Sequence, residues 1–428
     1  MSQKNIRLRR PPQALKGSIK LDGSKSISNR LLIIRQLCAH NFELKNISTS
    51  QDTQTLADLL ATKSDHYDAG AAGTTFRFLT AFLALQSGTQ TLTGSERMKQ
   101  RPIAPLVDVL RLLGANIEYA ENQGFPPLQI HAPSDDFGKN PSVSLPADVS
   151  SQFISALLLI APTLPNGLEL TLEGEKIVSR PYIQMTLRLM QQFGIEHNWN
   201  DHKIKIAPQK YNYSEEKFEV ESDWSAASYY YAMAAFADEV DLTLLGLRAQ
   251  STQGDSVIAT IAERFFGIET TFIPDGIRLR KNNQPLRPLL EWDFLDCPDL
   301  AQTVSAMCAG CGINALLSGM ETLHLKETDR IGALKNELAK MQVWLTKMPP
   351  RFSKKSPDKT YYLQENKAVF SSENTLVFKT YDDHRMAMSL APLAMLTENS
   401  VEIEDPDVVK KSYPNFWTDL QQLGFEIY

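Results

Sequence analysis

The chain has 428 residues, 43% hydrophobic and 22% charged, which is more than one compact core accommodates and sets two domains, or three, as the expectation. With 44 Lys and Arg against 50 Asp and Glu the net charge is −6, which argues against nucleic-acid binding through a broad basic face but leaves room for a local basic pocket. Four cysteines are too few for a disulfide framework, and the longest apolar run, 153–161, stops at Pro162, too short to span a bilayer.

In chain order, the basic opening stretch 1–12 lacks the apolar core of a signal peptide, so a cytoplasmic location is expected. Gly23-Ser24-Lys25-Ser26-Ile27-Ser28-Asn29-Arg30 follows, with a helix expected over 31–39. Small residues and hydroxyls at a helix start leave backbone N–H groups free for an anion, and Lys25 in the turn with Arg30 about one turn on suits a phosphate or carboxylate. The GxxxxGK[ST] spacing of a Walker loop is missing. Ala71-Ala72-Gly73-Thr74-Thr75-Phe76-Arg77 and Arg97-Met98-Lys99-Gln100-Arg101-Pro102 repeat the design, as do Ser150-Ser151-Gln152 and Ser179-Arg180-Pro181-Tyr182. In each, a capped helix with a solvated cation is the plain alternative.

A second pattern recurs: a helical-period stretch, a glycine suited to the left-handed position past a helix end, then strand residues. Its glycines are Gly114, Gly194, Gly267 and Gly424, separated by 80, 73 and 157 residues, the last about two periods. A copy without glycine fits 331–346, and a degraded one 55–67. Six similar αβ units result, three per domain. A polar break over 211–224 marks the domain boundary: 22–222 is read as a domain inserted between 1–21 and 223–428.

In the second half, Cys308 and Cys311 have the spacing of a metal knuckle but sit in an apolar run and read as helix thiols. Lys326-Glu327-Thr328-Asp329-Arg330, Asp382-Asp383-His384-Arg385-Met386 and Lys410-Lys411-Ser412 each open a helix, while 346–360 reads as a surface loop. Cations repeatedly placed at helix starts oppose the macrodipole, a cost that bound anions would offset. The expected site is a cleft of helix N-termini carrying excess positive charge.

The motifs GSKSxSNR, AGTxxR, RPI, SSQF, SRPY, KETDR and DHRMAM stand here, from residue 23 onward, in the order they take in the 5-enolpyruvylshikimate-3-phosphate synthase family, which the chain resembles over nearly its whole length. The resemblance implies an α/β (α+β) enolpyruvyl transferase fold: two domains, each of about three βαβαββ units with helices packed inside, and an active site in the interdomain cleft. It implies transfer of the enolpyruvyl group of phosphoenolpyruvate to the 5-hydroxyl of shikimate 3-phosphate, without cofactor or metal, by a monomer that engages neither nucleic acid nor membrane.

By motif, shikimate 3-phosphate would meet Lys25, Ser26, Arg30, Ser150, Ser151, Gln152, Ser179, Tyr182, Asp299 and Lys326. Phosphoenolpyruvate would meet Lys25, Gly73, Thr74, Arg101, Gln152, Arg330, Arg385 and Lys411. Asp299, Glu327, Lys25 and His384 would be catalytic, with Asp299 the base on the reacting hydroxyl and Glu327 the acid at the methylene carbon. Ala71 and Thr322 replace asparagines usual in the family, and the stretch 52–71 is short for a unit containing a strand pair. The sister enzyme acting on UDP-N-acetylglucosamine places a cysteine ahead of its Arg-Pro motif, and 92–101 contains none. A non-catalytic polyanion binder would need a basic exterior.

Overall fold

A computed structural model of the chain describes residues 5–9, 14–282, 284–353, 359–371 and 375–428. The chain divides into two compact units, Gly23–Val220 and a second made of Met1–Asp22 with Glu221–Tyr428. Asp22, Glu221 and Ser222 belong to the second: Ser222 Oγ donates to the Leu21 carbonyl at 2.8 Å, and the Asp223 N–H to that of Asp22 at 3.0 Å.

One motif builds both units. Ser142–Pro146 pairs parallel with Leu168–Glu173 across the helix Ser151–Ile160; the helix Arg180–Gln192 then leads to a hairpin, Asn198–Asn200 and Lys203–Ile206, whose second strand returns antiparallel to the second strand of the pair. Alternation in Leu168–Glu173 (LELTLE) puts its leucines inward, as one buried sheet face requires. The same strand order recurs in the sheets begun by His66–Asp68, Ala14–Lys20, Leu289–Asp293 and Leu376–Phe378. In the Ala14 sheet, the connection to Glu239–Leu245 contains the whole Gly23–Val220 unit. In the Leu376 sheet the closing strand is Ile6–Arg9, from the other end of the chain.

Five units are therefore complete and the sixth is cut short. Glu43–Lys45 pairs only with Lys217–Glu219, and the helix Gln51–Ala61 runs on into His66–Asp68 with no hairpin between. The shortness of 52–71 is this missing strand pair. Within each unit the helices lie inside: Trp224–Phe236 is buried on every side, and Ser151–Ile160 and Ala301–Cys311 are buried nearly throughout. Such helices need no polar stripe.

The four glycine stops all have left-handed backbone, with φ of 101°, 81°, 66° and 87° at Gly114, Gly194, Gly267 and Gly424. In the glycine-free copy Gln342 takes that conformation (φ 62°), between the helix Arg330–Ala339 and the strand Trp344–Lys347. The degraded copy differs: its helix ends on extended Thr62. The loop expected over 346–360 begins inside that strand and includes a short 3₁₀ turn, Pro350–Ser353; residues 354–358 lie outside the described residues. Cys308 and Cys311 lie on the Ala301 helix as unbridged thiols that burial pushes up. No helix among the described residues is long and apolar enough to cross a membrane.

Candidate active site

In the Gly23–Val220 unit the helix starts well before the apolar run at 31, at Lys25, so Lys25 is its first residue rather than part of the turn. Ser28 Oγ accepts the Ser48 N–H at 2.9 Å, and Asn29 Oδ1 accepts Thr53 Oγ1 at 2.7 Å. These bonds hold 48–53 against the helix and bring Asp52 within 3.2 Å of Lys25 Nζ. The Asp52 carbonyl accepts Thr75 Oγ1 at 2.9 Å, fixing the Gly73–Leu83 helix to the same loop.

At that helix's start Gly73 lies under two guanidinium groups. A Cβ there would stand 2.6 Å from Nη1 of both Arg77 and Arg101, so any side chain would push the two guanidinium groups aside. Arg77 Nη1 donates to Gln152 Oε1 and Gln152 Nε2 to Thr74 Oγ1, both at 3.0 Å. Arg101 is 8% exposed; among the described residues its side chain meets no carboxylate and its Nε has no acceptor. A buried guanidinium beside a helix start, without an acid, has the charge and geometry that an anion would meet. Gly73, Thr74, Arg101 and Gln152 thus come together. Arg77, conspicuous in the sequence but given no ligand, joins them.

Ser150 accepts the Gln152 N–H at 3.4 Å and caps the helix on which Ser151 is the first residue. Ser179 precedes the next helix in left-handed backbone (φ 55°) and makes no capping bond. Arg30 faces inward: it donates to Thr186 Oγ1 (2.7 Å), Ser155 Oγ (3.0 Å) and the carbonyls of Ser26 (2.8 Å) and Tyr182 (3.3 Å). Burial pushes it down to about 10. Of its five N–H groups these bonds leave one, on Nη1, for a ligand.

The second unit carries a different cluster. Arg330, first residue of its helix and 2% exposed, donates to Asp383 (2.7 Å), Asp299 (2.9 Å) and Glu327 (2.8 Å). Arg385 reaches Asp299 at 3.0 Å, Lys326 lies 3.9 Å from Asp299, and Lys411 lies 3.5 Å from Glu327. Burial alone would raise Asp299, but Arg385, Lys326 and Arg330 together hold it well below the usual carboxylate range. Burial lowers Lys326, only partly opposed by Asp299, so its ammonium gives up a proton more readily than an exposed lysine's. His384 is buried, with Nδ1 3.9 Å from Asp383.

The expected excess of positive charge therefore holds for one region and not the other. Around Arg330 four cations, Lys326, Arg330, Arg385 and Lys411, face three carboxylates, Asp299, Glu327 and Asp383, so the local charges nearly cancel. Asp383 stands in a helix-opening motif but is given no role by it, and Asp255 and Ser225 carry no signal in the sequence. Ser225 Oγ donates to the buried carboxylate of Asp255 and accepts from Arg385 at 3.5 Å. Burial, reinforced by the charge of Asp299, pushes Asp255 up to about 7. Its Gln253-Gly254-Asp255 segment carries no helix-opening cation, the signal that exposed the other motifs.

One unit thus gathers cations at helix starts, and the other a carboxylate held ionised among cations, an arrangement that suits a transferase of small anionic molecules. The family described as EPSP synthase (3-phosphoshikimate 1-carboxyvinyltransferase) matches residues 9–64 and 58–420, and the chain belongs to it. A 3-phosphoshikimate 1-carboxyvinyltransferase of Bacteroides fragilis is 45% identical over 425 residues, covering 97% of each chain; one from a Sulfurovum species is 33% identical, covering 97% of this chain and 98% of its own. A solved EPSP synthase from Acinetobacter baumannii shares the fold with a TM-score of 0.76 at 19% identity, over 99% of both chains. An enolpyruvyl transferase of Streptomyces tendae does so at 0.72 and 12% identity, over 100% of this chain and 99% of its own.

Proposed function

We propose that the chain joins the enolpyruvyl group of phosphoenolpyruvate to the 5-hydroxyl of shikimate 3-phosphate and releases phosphate, both units serving the one reaction. The observation that carries this reading is the carboxylate of Asp299 held between Arg330 and Arg385 with Lys326 at 3.9 Å. In the addition step the 5-oxygen bonds to C2 while its proton passes to Asp299 or, by way of it, Lys326, and C3 takes a proton from Glu327. In the elimination step C3 returns that proton, the C2–O bond to phosphate breaks, and the enol ether remains.

Asp299 between two guanidinium groups is a weak base. Phosphoenolpyruvate, with a carboxylate and a phosphate, competes for those guanidinium groups and so strengthens the base when the substrate is in place. Lys411, beside Glu327, would hold the substrate's charge where the proton is delivered. Gly73, Thr74, Arg101 and Gln152, with Arg77, would take the phosphate of phosphoenolpyruvate. Ser26, Ser150, Ser151, Ser179 and Tyr182 would take shikimate 3-phosphate with the remaining N–H of Arg30, and Lys25 would reach both ligands. His384 would support the proton step from beside Asp383. We further infer a cytoplasmic monomer, which sedimentation would check.

The test is phosphate release from phosphoenolpyruvate with shikimate 3-phosphate, with a UDP-amino-sugar, or with no acceptor. Release should need shikimate 3-phosphate; release without an acceptor would sink the assignment. Glu327→Gln and Asp299→Ala should cut turnover severely while both ligands still bind, and near-normal rates in both would refute the roles given.

A further inference from the structure

Directly ahead of Asp383, His384 and Arg385 the backbone passes through two consecutive non-glycine residues with left-handed φ, 54° at Tyr381 and 56° at Asp382. Aspartate visits this region tolerably; tyrosine does so only where its surroundings impose it. The turn is tied to Glu337, with no exposed surface, on the Arg330–Ala339 helix. Its Oε1 accepts the Tyr381 phenol at 2.7 Å, and its Oε2 accepts the Lys379 N–H at 3.0 Å and Lys340 Nζ at 2.6 Å. Lys340 also donates to the Val377 carbonyl at 2.8 Å.

Glu337 stands two helical turns beyond Arg330, so the two residues share a face of one helix. Arg330 grips Asp383 at 2.7 Å. The helix therefore holds 377–383 at both ends: through Glu337 and Lys340 ahead of the strained turn, and through Arg330 after it. The next residues carry His384, and Arg385 on Asp299.

We propose that Glu337 is a positioning residue for the reaction: by clamping Lys379 and Tyr381 it keeps the turn left-handed and so sets Arg385 in register with Arg330 and Asp299. This rests on the function proposed above. Glu337 touches no substrate. It acts through the turn, and the part of the site it governs is the guanidinium pair assigned to phosphoenolpyruvate.

The test uses the full chain and Tyr381→Phe, which removes one oxygen from the clamp, beside Glu337→Gln and the double variant Tyr381→Phe/Asp382→Gly, where glycine takes the left-handed conformation without strain. Steady-state kinetics should show KM for phosphoenolpyruvate raised at least fivefold in Tyr381→Phe and further in Glu337→Gln, with KM for shikimate 3-phosphate within twofold of wild type. The added glycine should restore at least half of the loss on a logarithmic scale. Amide hydrogen exchange over 380–386 should speed up at least tenfold in Tyr381→Phe and slow again in the double variant.

A phosphoenolpyruvate KM within twofold of wild type in Tyr381→Phe overturns the proposal even if Glu337→Gln fails to fold. So does an equal rise in both KM values, which marks general loosening. Wild-type turnover judges the reaction separately: were the wild type inactive, exchange over 380–386 would still decide whether the clamp exists, and unchanged exchange would refute it.

Discussion

Arg101 and Arg330 are both buried arginines next to a helix start, yet their surroundings are opposite. Arg330 lies among Asp299, Glu327 and Asp383 and is bonded to all three. Arg101 meets no acid among the described residues, and its neighbours are Gly73, Arg77 and, through Arg77, the neutral amide of Gln152. Removing a cation from its own acids is a problem of protein stability, whereas a buried cation without an acid is suited to an incoming anion. In the function proposed above the two regions divide the labour of handling charge: one would fix the positions of proton-carrying groups, the other would keep a place for an incoming anion.

The comparison can be broken by making one change in both places. Arg330→Met should cost about 3–5 kcal/mol of folding free energy, since it strands buried carboxylates, and denaturant unfolding would read it. A loss below about 1 kcal/mol would show that the cluster is not held by that arginine. Asp255 tests the same region through pH. Its folded-state pKa of about 7 lies above that of an unfolded aspartate, so its contribution to stability is complete below about pH 4 and lost as pH rises through 7. At pH 8.5 Asp255→Asn should be more stable than wild type by as much as about 4 kcal/mol, and the advantage should vanish near pH 4. Asp299, held down rather than up, gives the opposite slope and loses its contribution only in acid.

Arg101→Met should leave unfolding within about 1 kcal/mol of wild type but weaken phosphoenolpyruvate by roughly 10- to 150-fold, the worth of one charge-assisted hydrogen bond. A stability loss as large as that of Arg330→Met would erase the distinction. The smallest effect belongs to Gly73→Ala. Its methyl presses both guanidinium groups aside, and KM for phosphoenolpyruvate should rise about tenfold, worth about 1.4 kcal/mol, with shikimate 3-phosphate unaffected.

Much of this was legible in the sequence because its signals are local. A glycine after a helical run states its own conformation, and all four such glycines are left-handed. The copy over 331–346, in which Gln342 does the same without a glycine, was found by spacing alone, though Gln342 itself was not marked. The helix-opening motifs marked Gly73, Arg101 and Arg330 because a cation at a helix start stands out within a few residues, whereas Asp299 entered only through the family resemblance. What stayed hidden depends on distant partners. Nothing near Arg330 tells that Asp383, 53 residues on, completes its shell. Nothing near Arg30 tells that Ser155 and Thr186 turn it inward. The sum of charges at the site was misjudged for that reason: cations were visible at helix entries, whereas the acids that neutralise them come from elsewhere. Asp255 lies in a segment with no cation at all, and its proximity to Ser225 is purely tertiary.

The strand Ile6–Arg9 closes its sheet against Val401–Ile403 and Glu426–Ile427, and Arg7 exchanges backbone hydrogen bonds with Tyr428. Every strand of the Gly23–Val220 unit finds its partners within that one continuous stretch, while the other unit pairs Ile6 with Ile403 across the whole inserted unit. Pairing over so long a separation closes a large loop before it gains contacts, so the acid–base half of the enzyme is also its slow, long-range half.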